Sequence, residues 1–380
     1  MGKTRLQTVR QTAGGTGYSQ ADVINMLQRR AAMLGMPVMS SASLKTKLSE
    51  WENGRSAVSQ PYRRLFRDVY GRTNEELGFP PENEDDEADE LLARLEIART
   101  IDAGTIDLFR RQVDQARHVD RQFGGIAVLD QLRSNIRHME ELLSYGAAGG
   151  QREQLAGVLT EASALAGWEA LDRNAIRQAW DHHERAKAAA REANSPLLLA
   201  HSTAQQAFIL IDLEQFDQAV DQLAQARGVA EQSAPALLRA WLAAAHGEGL
   251  SAAGQRDDAL HAFDAAGALL PDDPTAPELP FLFLAGAHLD RWRGHAMGRL
   301  GESDAIDQLR DALPRLPADF TRARTGMLVD LAFAHAAAGD RDEALDYARQ
   351  AKRLAAQIKS DRQLRRLSRL VLPTDGAGPA

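Results

Sequence analysis

Gly247-Glu248-Gly249-Leu250-Ser251-Ala252-Ala253-Gly254-Gln255-Arg256-Asp257-Asp258-Ala259-Leu260-His261-Ala262-Phe263-Asp264-Ala265-Ala266-Gly267-Ala268-Leu269-Leu270-Pro271 is the stretch on which the fold depends. It reads as the end of one helix, a polar turn at Gly254, and a second helix that carries Ala259, Phe263 and Ala266 and stops at Pro271. The same pair of alanines seven residues apart occurs at Ala179/Ala186, Ala219/Ala226, Ala305/Ala312 and Ala344/Ala351. Each pair follows a polar or glycine-containing turn, and successive pairs start 40, 40, 46 and 39 residues apart. Each interval holds two helices and two turns. Around these units, from Ala88 to Leu372, the chain is rich in Ala, Leu, Arg, Glu and Gln, with no alternating strand pattern, which predicts an almost wholly helical chain.

These residues resemble the tetratricopeptide repeat, in which small residues let two antiparallel helices approach closely. Gly247, Gly254, Ala259, Phe263, Ala266 and Pro271 carry the resemblance best, and Ala305, Leu309, Ala312 and Pro317 repeat it. Most tryptophan and tyrosine positions of that family are missing, and the spacing exceeds its 34 residues. The expected fold class is all-α, with a helix-turn-helix head before a superhelical array; the alternative for the array is an irregular bundle of alanine-rich helices. In the repeat architecture the first helix of each unit lines the concave side. That places Trp168, Asp172, His201, Gln205, Phe208, Asp212, Trp241, Glu248, His288, Arg291, Trp292 and His295 towards a groove. Trp241, Glu248, His288, Arg291, Trp292 and His295 are the candidate ligand-binding residues, with Arg291 expected to reach into solvent from an empty groove and to grip a carboxylate. The alternative for Trp168, Trp241 and Trp292 is packing between helices.

Before the array the chain changes character. Residues 1–80 carry twelve basic and six acidic side chains, a balance of +6, while the whole chain sums to −8, so everything after residue 80 sums to −14. Seven carboxylates fall between Glu82 and Glu90, behind Pro80-Pro81. The expected organisation is a head at 1–80, an acidic linker at 81–90, connecting helices at 91–150 with a possible dimer contact, the array at 151–372 and a disordered tail at 373–380.

Within the head, Ser43-Leu44-Lys45-Thr46-Lys47-Leu48-Ser49-Glu50-Trp51-Glu52-Asn53-Gly54-Arg55 puts Leu44, Leu48 and Trp51 on one helical face and Lys45, Thr46, Ser49 and Glu50 on the other. Asn53-Gly54 stops that helix, and Ser19-Gln20-Ala21-Asp22 starts an earlier one, with Ser19 as N-cap. This pattern resembles the helix-turn-helix of Xre-type, lambda-repressor-like regulators over residues 4–79. Its turn, Arg29 to Ser40, is longer than that family's usual three or four residues. The resemblance implies that Lys45, Thr46 and Glu50 read bases, and that Gln20, Lys47, Ser49, Asn53, Arg55 and Arg63 hold phosphates. The alternative for Glu50 is an ion pair with Lys47 or Arg63.

Other chemistry finds little support in the sequence. Without cysteine there is no disulfide, thiolate zinc site or catalytic thiol. Asp181-His182-His183-Glu184 cannot converge on one metal ion, because neighbours on a helix point about 100° apart, and a helix surface is expected there. Phosphate-loop, nucleophile-elbow and zinc-protease motifs are absent from the sequence, so neither an enzyme nor a cofactor is expected. The N-terminus lacks the apolar run of a secretory signal, and no window is apolar enough for a membrane span, which predicts a cytoplasmic chain. A helix-turn-helix joined to such an array resembles the peptide-responsive, quorum-sensing regulators of Gram-positive bacteria. That resemblance implies a homodimeric transcription regulator on double-stranded DNA whose array senses a peptide, small molecule or protein. The alternative is a protein-interaction adaptor with a degenerate head.

Overall fold

The computed structural model describes residues 4–13, 15, 17–34, 36, 38–80, 91–92, 94–96, 98, 101–125, 128–146, 149–231, 234–273 and 279–373. The linker expected at 81–90 and the tail beyond Pro373 lie outside them. Among the described residues every regular element is helical, and the chain divides into two compact units, Met1–Ala93 and Arg94–Ala380.

Over residues 4–80 the described residues of the first unit form α1 (Arg5–Thr12), α2 (Gln20–Met33), α3 (Ser41–Glu52), α4 (Gln60–Tyr70) and α5 (Asn74–Leu77). Their ends follow from local chemistry. Ser19 and Asp22 form a reciprocal capping box on α2, and Thr73 and Glu76 form one on α5. Pro61 sits in the first turn of α4, where its missing N–H costs nothing. Gly54, at φ +67°, lets its own N–H reach the Trp51 carbonyl (3.1 Å) and the Arg55 N–H reach the Glu50 carbonyl (2.9 Å), a Schellman stop to α3. Leu27, Leu44, Leu48, Leu65 and Phe66 are fully buried, and the Trp51 ring packs 5.0 Å from Tyr62 and 5.9 Å from Phe66. Helix α2 runs on through Arg29 to Met33, so the connection to α3 narrows to residues 34–40. It is pinned where the Met39 N–H donates to the Tyr62 hydroxyl at 2.8 Å.

From residue 101 onward the second unit runs through α6 (Ala103–Phe123) and α7 (Leu129–Tyr145), followed by α8 (Gly149–Asp172), α9 (Ile176–Glu192), α10 (Pro196–Asp212), α11 (Phe216–Ala230), α12 (Ala236–Ala252), α13 (Arg256–Leu269), α14 (Gly286–Leu300), α15 (Ala305–Ala312), α16 (Thr321–Ala338), α17 (Arg341–Gln357) and α18 (Asp361–Ser368). From α8 to α17 the helices pair as consecutive antiparallel hairpins, and all ten alanines of the five pairs sit on the second helices with at most 1% of their surface exposed. Close approach is the physical reason. A Cβ on Gly167, Gly247 or Gly294 would come within 2.7 Å of His183, Phe263 or Leu309, the residues four after the first alanine of their units. His183 is therefore a fully buried packing residue and not the surface group expected of it, and burial holds its imidazole neutral, down at about 3. Each hairpin turn needs one left-handed residue: Gly254, Gly301 and Gly339 in three, Asn174 (φ 59°) and Glu214 (φ 60°) in the others.

Helices α6 and α7, expected to join head and array, pack inside this unit, α6 against both α8 and α16. Helix α18 in turn packs on α8. The array therefore closes on itself. Arg322 of α16 donates to Asp120 of α6, and Ser360 donates to Asp172 of α8 at 2.7 Å.

Candidate ligand cavity and candidate nucleic-acid face

Closure turns the concave side of the array into a cavity of about 630 Å³. Its walls come from the first helices of the hairpins, because residues three, four and seven apart on a helix share a face. Helix α8 supplies Trp168 and Asp172, α10 supplies His201, Gln205, Phe208 and Asp212, α12 supplies Trp241 and Glu248, and α14 supplies Arg291, Trp292 and His295. Eleven of the twelve residues expected to share a groove thus line one space. His288 does not. The segment before α14 folds back so that Phe283 meets the His288 ring at 4.9 Å, with Phe320 at 4.7 Å on another side, and burial with Arg291 and Arg121 nearby pushes the imidazole down to about 3.

One wall is a run of rings. Trp168 and Phe208 lie 6.2 Å apart, Phe208 and Trp292 6.0 Å, Trp292 and Trp241 5.7 Å, Trp241 and His201 4.8 Å, and His201 and Phe281 4.6 Å. Most meet edge to face, the arrangement the ring quadrupoles favour. Trp241 serves twice, since it is 7% exposed within the array's core and also lines the cavity.

The charged wall is largely self-compensated. Arg362 grips Asp212 through two bonds of 2.7 Å, Arg366 donates to Asp330 at 2.6 Å, and Arg117 pairs with Glu161. Glu248 faces His295 Nδ1 at 2.8 Å. Burial alone would push Asp212, Glu248 and Asp330 up, but Arg362 for the first and His295 with neighbouring guanidiniums for the other two hold all three carboxyls below their ordinary values. Arg291 stands apart. Expected to reach into solvent, it is instead half-buried, with its guanidinium 5.9 Å from the Trp292 ring centre, no hydrogen bond to any described residue, and Nε shut off from solvent. Gln205 sets its Nε2 3.1 Å from His201 Nε2, while its Oε1 is buried without a partner among the described residues. Burial holds His201 neutral, down at about 3.

In the first unit, α3 turns Leu44, Leu48 and Trp51 inward and leaves Lys45 and Thr46 exposed, with Arg55 exposed just past its end. The other expected contacts have partners within the unit. Lys47 donates to Glu50 at 2.7 Å, and this bond holds the Glu50 carboxyl below its ordinary value. The Asn53 side chain donates to the Ser49 carbonyl at 2.7 Å as part of the helix stop, and also lies 3.5 Å from the half-buried Ser49 hydroxyl. Arg63 Nε donates to the Val58 carbonyl at 2.7 Å. Gln20 donates at 2.8 Å to Glu52, a carboxylate 1% exposed that also accepts from Arg10 at 2.5 and 3.0 Å. Of the residues expected on phosphates, Gln20 is thus occupied, through Glu52, in tying α1, α2 and α3 together, Asn53 in stopping α3, and Arg63 in holding the loop before α4.

No known protein family matches the chain, and no curated protein sequence matches it. Several solved structures resemble it at low identity. A Rap protein complexed with competence and sporulation factor is 13% identical with a TM-score of 0.47, over 90% of this chain and 97% of that one. BtubC (BKLC) from P. vanneervenii is 15% identical with a TM-score of 0.42, over 66% and 96%. Aspartyl phosphate phosphatase F from Bacillus subtilis is 15% identical with a TM-score of 0.39, over 88% and 94%. Scores at this level transfer no property to this chain.

Sequence reasoning missed the cavity residues that α6, α16 and α18 supply. Arg117, Asp120 and Arg121 come from α6, Arg322 and Asp330 from α16, and Arg362, Gln363, Arg365, Arg366 and Arg369 from α18 and the residue after it. A signal was present: Arg362, Arg365, Arg366 and Arg369 are spaced to share one helical face.

Proposed function

We propose that the chain is a sequence-specific DNA-binding transcription regulator whose head reads DNA through α3 and whose array holds a regulatory ligand in its cavity. The observation that carries the reading is α3 itself, which is locked by its buried face and its glycine stop while its opposite face keeps Lys45 and Thr46 uncovered. A helix fixed in that way can enter a major groove, and the +6 balance of residues 1–80 supplies the attraction to phosphate. With Glu50 paired to Lys47, base reading falls chiefly to Lys45 and Thr46, and phosphate holding to Arg55. The regulator acts as a homodimer in the cytoplasm, reading two half-sites about 34 Å apart or a multiple of that. It needs no cofactor and performs no catalysis of its own.

The test is a pull-down of genomic fragments by the full chain, beside Lys45→Ala and Arg55→Ala. Lys45→Ala should change which sequences are enriched, at a cost of about 1–3 kcal/mol at its base. Arg55→Ala should weaken all sites alike. Recovery of no DNA by the wild type, or of the same DNA when both residues are replaced together, would leave the adaptor reading in its place. Footprints covering one half-site, with light scattering of a monomer, would remove the dimer.

A further inference from the structure

We propose that the cavity's ligand is a small organic anion with a flat apolar body, an aromatic acid in chemical class, whose acid group is taken by Arg291; this rests on the reading of the array as a ligand-binding unit.

The charges point to an anion. Nine arginines and seven carboxylates line the cavity, an excess of two positive charges. The deeply placed carboxylates already have partners: Asp212 in Arg362, Asp330 in Arg366, Glu161 in Arg117, Asp120 in Arg322 and Glu248 in His295. A cationic ligand would have to break one of these pairs. Arg291 shares the field of Glu248 and Asp330 but makes no hydrogen bond to any described residue, its guanidinium lying against Trp292 of the ring wall. Its Nε, shut off from solvent, is a donor that is costly until filled, and a carboxylate or sulfonate meets the guanidinium fork with two parallel bonds.

The wall points to a flat body. Trp292 stands beside Arg291, meets Trp241 edge to face, and the wall continues through a tilted Trp241–His201 contact to His201, next to Gln205. The unpartnered Oε1 of Gln205 accepts one hydrogen bond, so the body carries a donor, an N–H or O–H, away from its acid group. The size points the same way. About 630 Å³ lies in the range of pockets that enclose small molecules, and the bonds from Arg322 and Ser360 across the array ends leave no open trough for an extended chain.

Two fluorescent probes that share one ring system test this on the full chain without DNA: anilinonaphthalene sulfonate, an anion, and phenylnaphthylamine, which is uncharged. The wild type should bind one sulfonate per chain, at least tenfold tighter than the neutral amine, with quenching of tryptophan emission. Arg291→Gln should remove that preference and leave the amine's affinity within twofold, while Arg291→Lys keeps part of it. Gly326 lies beside Arg291, its would-be Cβ 3.8 Å from Arg291 Nη1, so Gly326→Leu should fill the space and abolish both dyes while Arg291 stays in place. Equal affinity for the two dyes in the wild type would overturn the proposal. So would an undiminished sulfonate preference in folded Arg291→Gln, full dye binding by Gly326→Leu, or capture of peptides by a chain that binds neither dye. The titration involves no DNA, so its failure leaves the head's pull-down result standing, and failure of the pull-down leaves the dye result standing.

Discussion

Glu169 is fully buried on α8, and neither carboxyl oxygen has a hydrogen-bond partner among the described residues. Burial, with Asp120 and Asp172 nearby, pushes it up to about 9. The folded chain keeps this acid protonated where an unfolded glutamate, at 4.5, ionises. Its contribution to stability is therefore fully present below pH 4.5 and is lost as pH climbs from there towards 9. Glu169→Gln should stabilise the fold at pH 8 by at least about 1 kcal/mol and give little gain at pH 4.5 in denaturant melts; a variant less stable than wild type at pH 8 would show that the carboxyl is ionised and paired. Burial of this kind was not legible beforehand. The alanine pairs announced themselves by recurrence, because a small residue at a close approach has one cause, whereas nothing local distinguishes Glu169 or His183 from the exposed polar residues beside them. The eleven groove residues were legible through their spacing on the first helices. His288 shared that spacing and was diverted by Phe283 and Phe320, residues that no helical period relates to it.

Helix α18 shows what element-level reading can and cannot reach. Its arginines could be counted onto one face, but the partner of Arg362 is Asp212, 150 residues earlier, and the partner of Arg365 is Asn174. Their pairing depends on the array curling until its last helix meets its first ones. The Arg362–Asp212 pair is about five-sixths buried on both sides, at 17% and 16% exposure. Arg362→Ala would leave Asp212 without its two-pronged partner, and α18 should loosen by about 2–3 kcal/mol, somewhat less than a fully buried pair would cost. Limited trypsin digestion should then cut at Lys359 and Arg365 at least tenfold faster than in the wild type, with the hairpins from α8 to α13 still resistant. Unchanged digestion would mean that Ser360 and Arg366 hold the helix without Arg362. Sulfonate affinity offers a second readout, since the same helix forms a wall of the cavity.

At the scale of the molecule, closure changes how the array should melt. An open stack of repeats has only nearest-neighbour contacts and can fray from its ends. Here Arg322 joins α16 to Asp120 of α6 and lies 3.6 Å from Asp172 of α8, with 12% of its side chain exposed. Arg322→Ala takes the paired guanidinium from buried Asp120 and weakens the support of Asp172, which keeps the Ser360 hydroxyl, and should cost about 3 kcal/mol. It should also split a single calorimetric transition of the second unit into at least two, as the ends gain freedom to unravel separately; one sharp transition in the variant would assign cooperativity to the hairpin interfaces instead. The same geometry sets an order of events on the ribosome. Chains emerge N-terminus first, so α1 to α5 are complete while most of the cavity is still unmade. The pocket is finished only when Arg366 and Arg369 arrive. A chain stopped early, or trimmed by a protease ahead of α18, would keep every described helix of the head and lose the wall that α18 gives the cavity. On the ligand proposed above, such a shortened chain would keep the head's helices yet be blind to the acid, so the last helix would act as the element that couples completion of the chain to sensing.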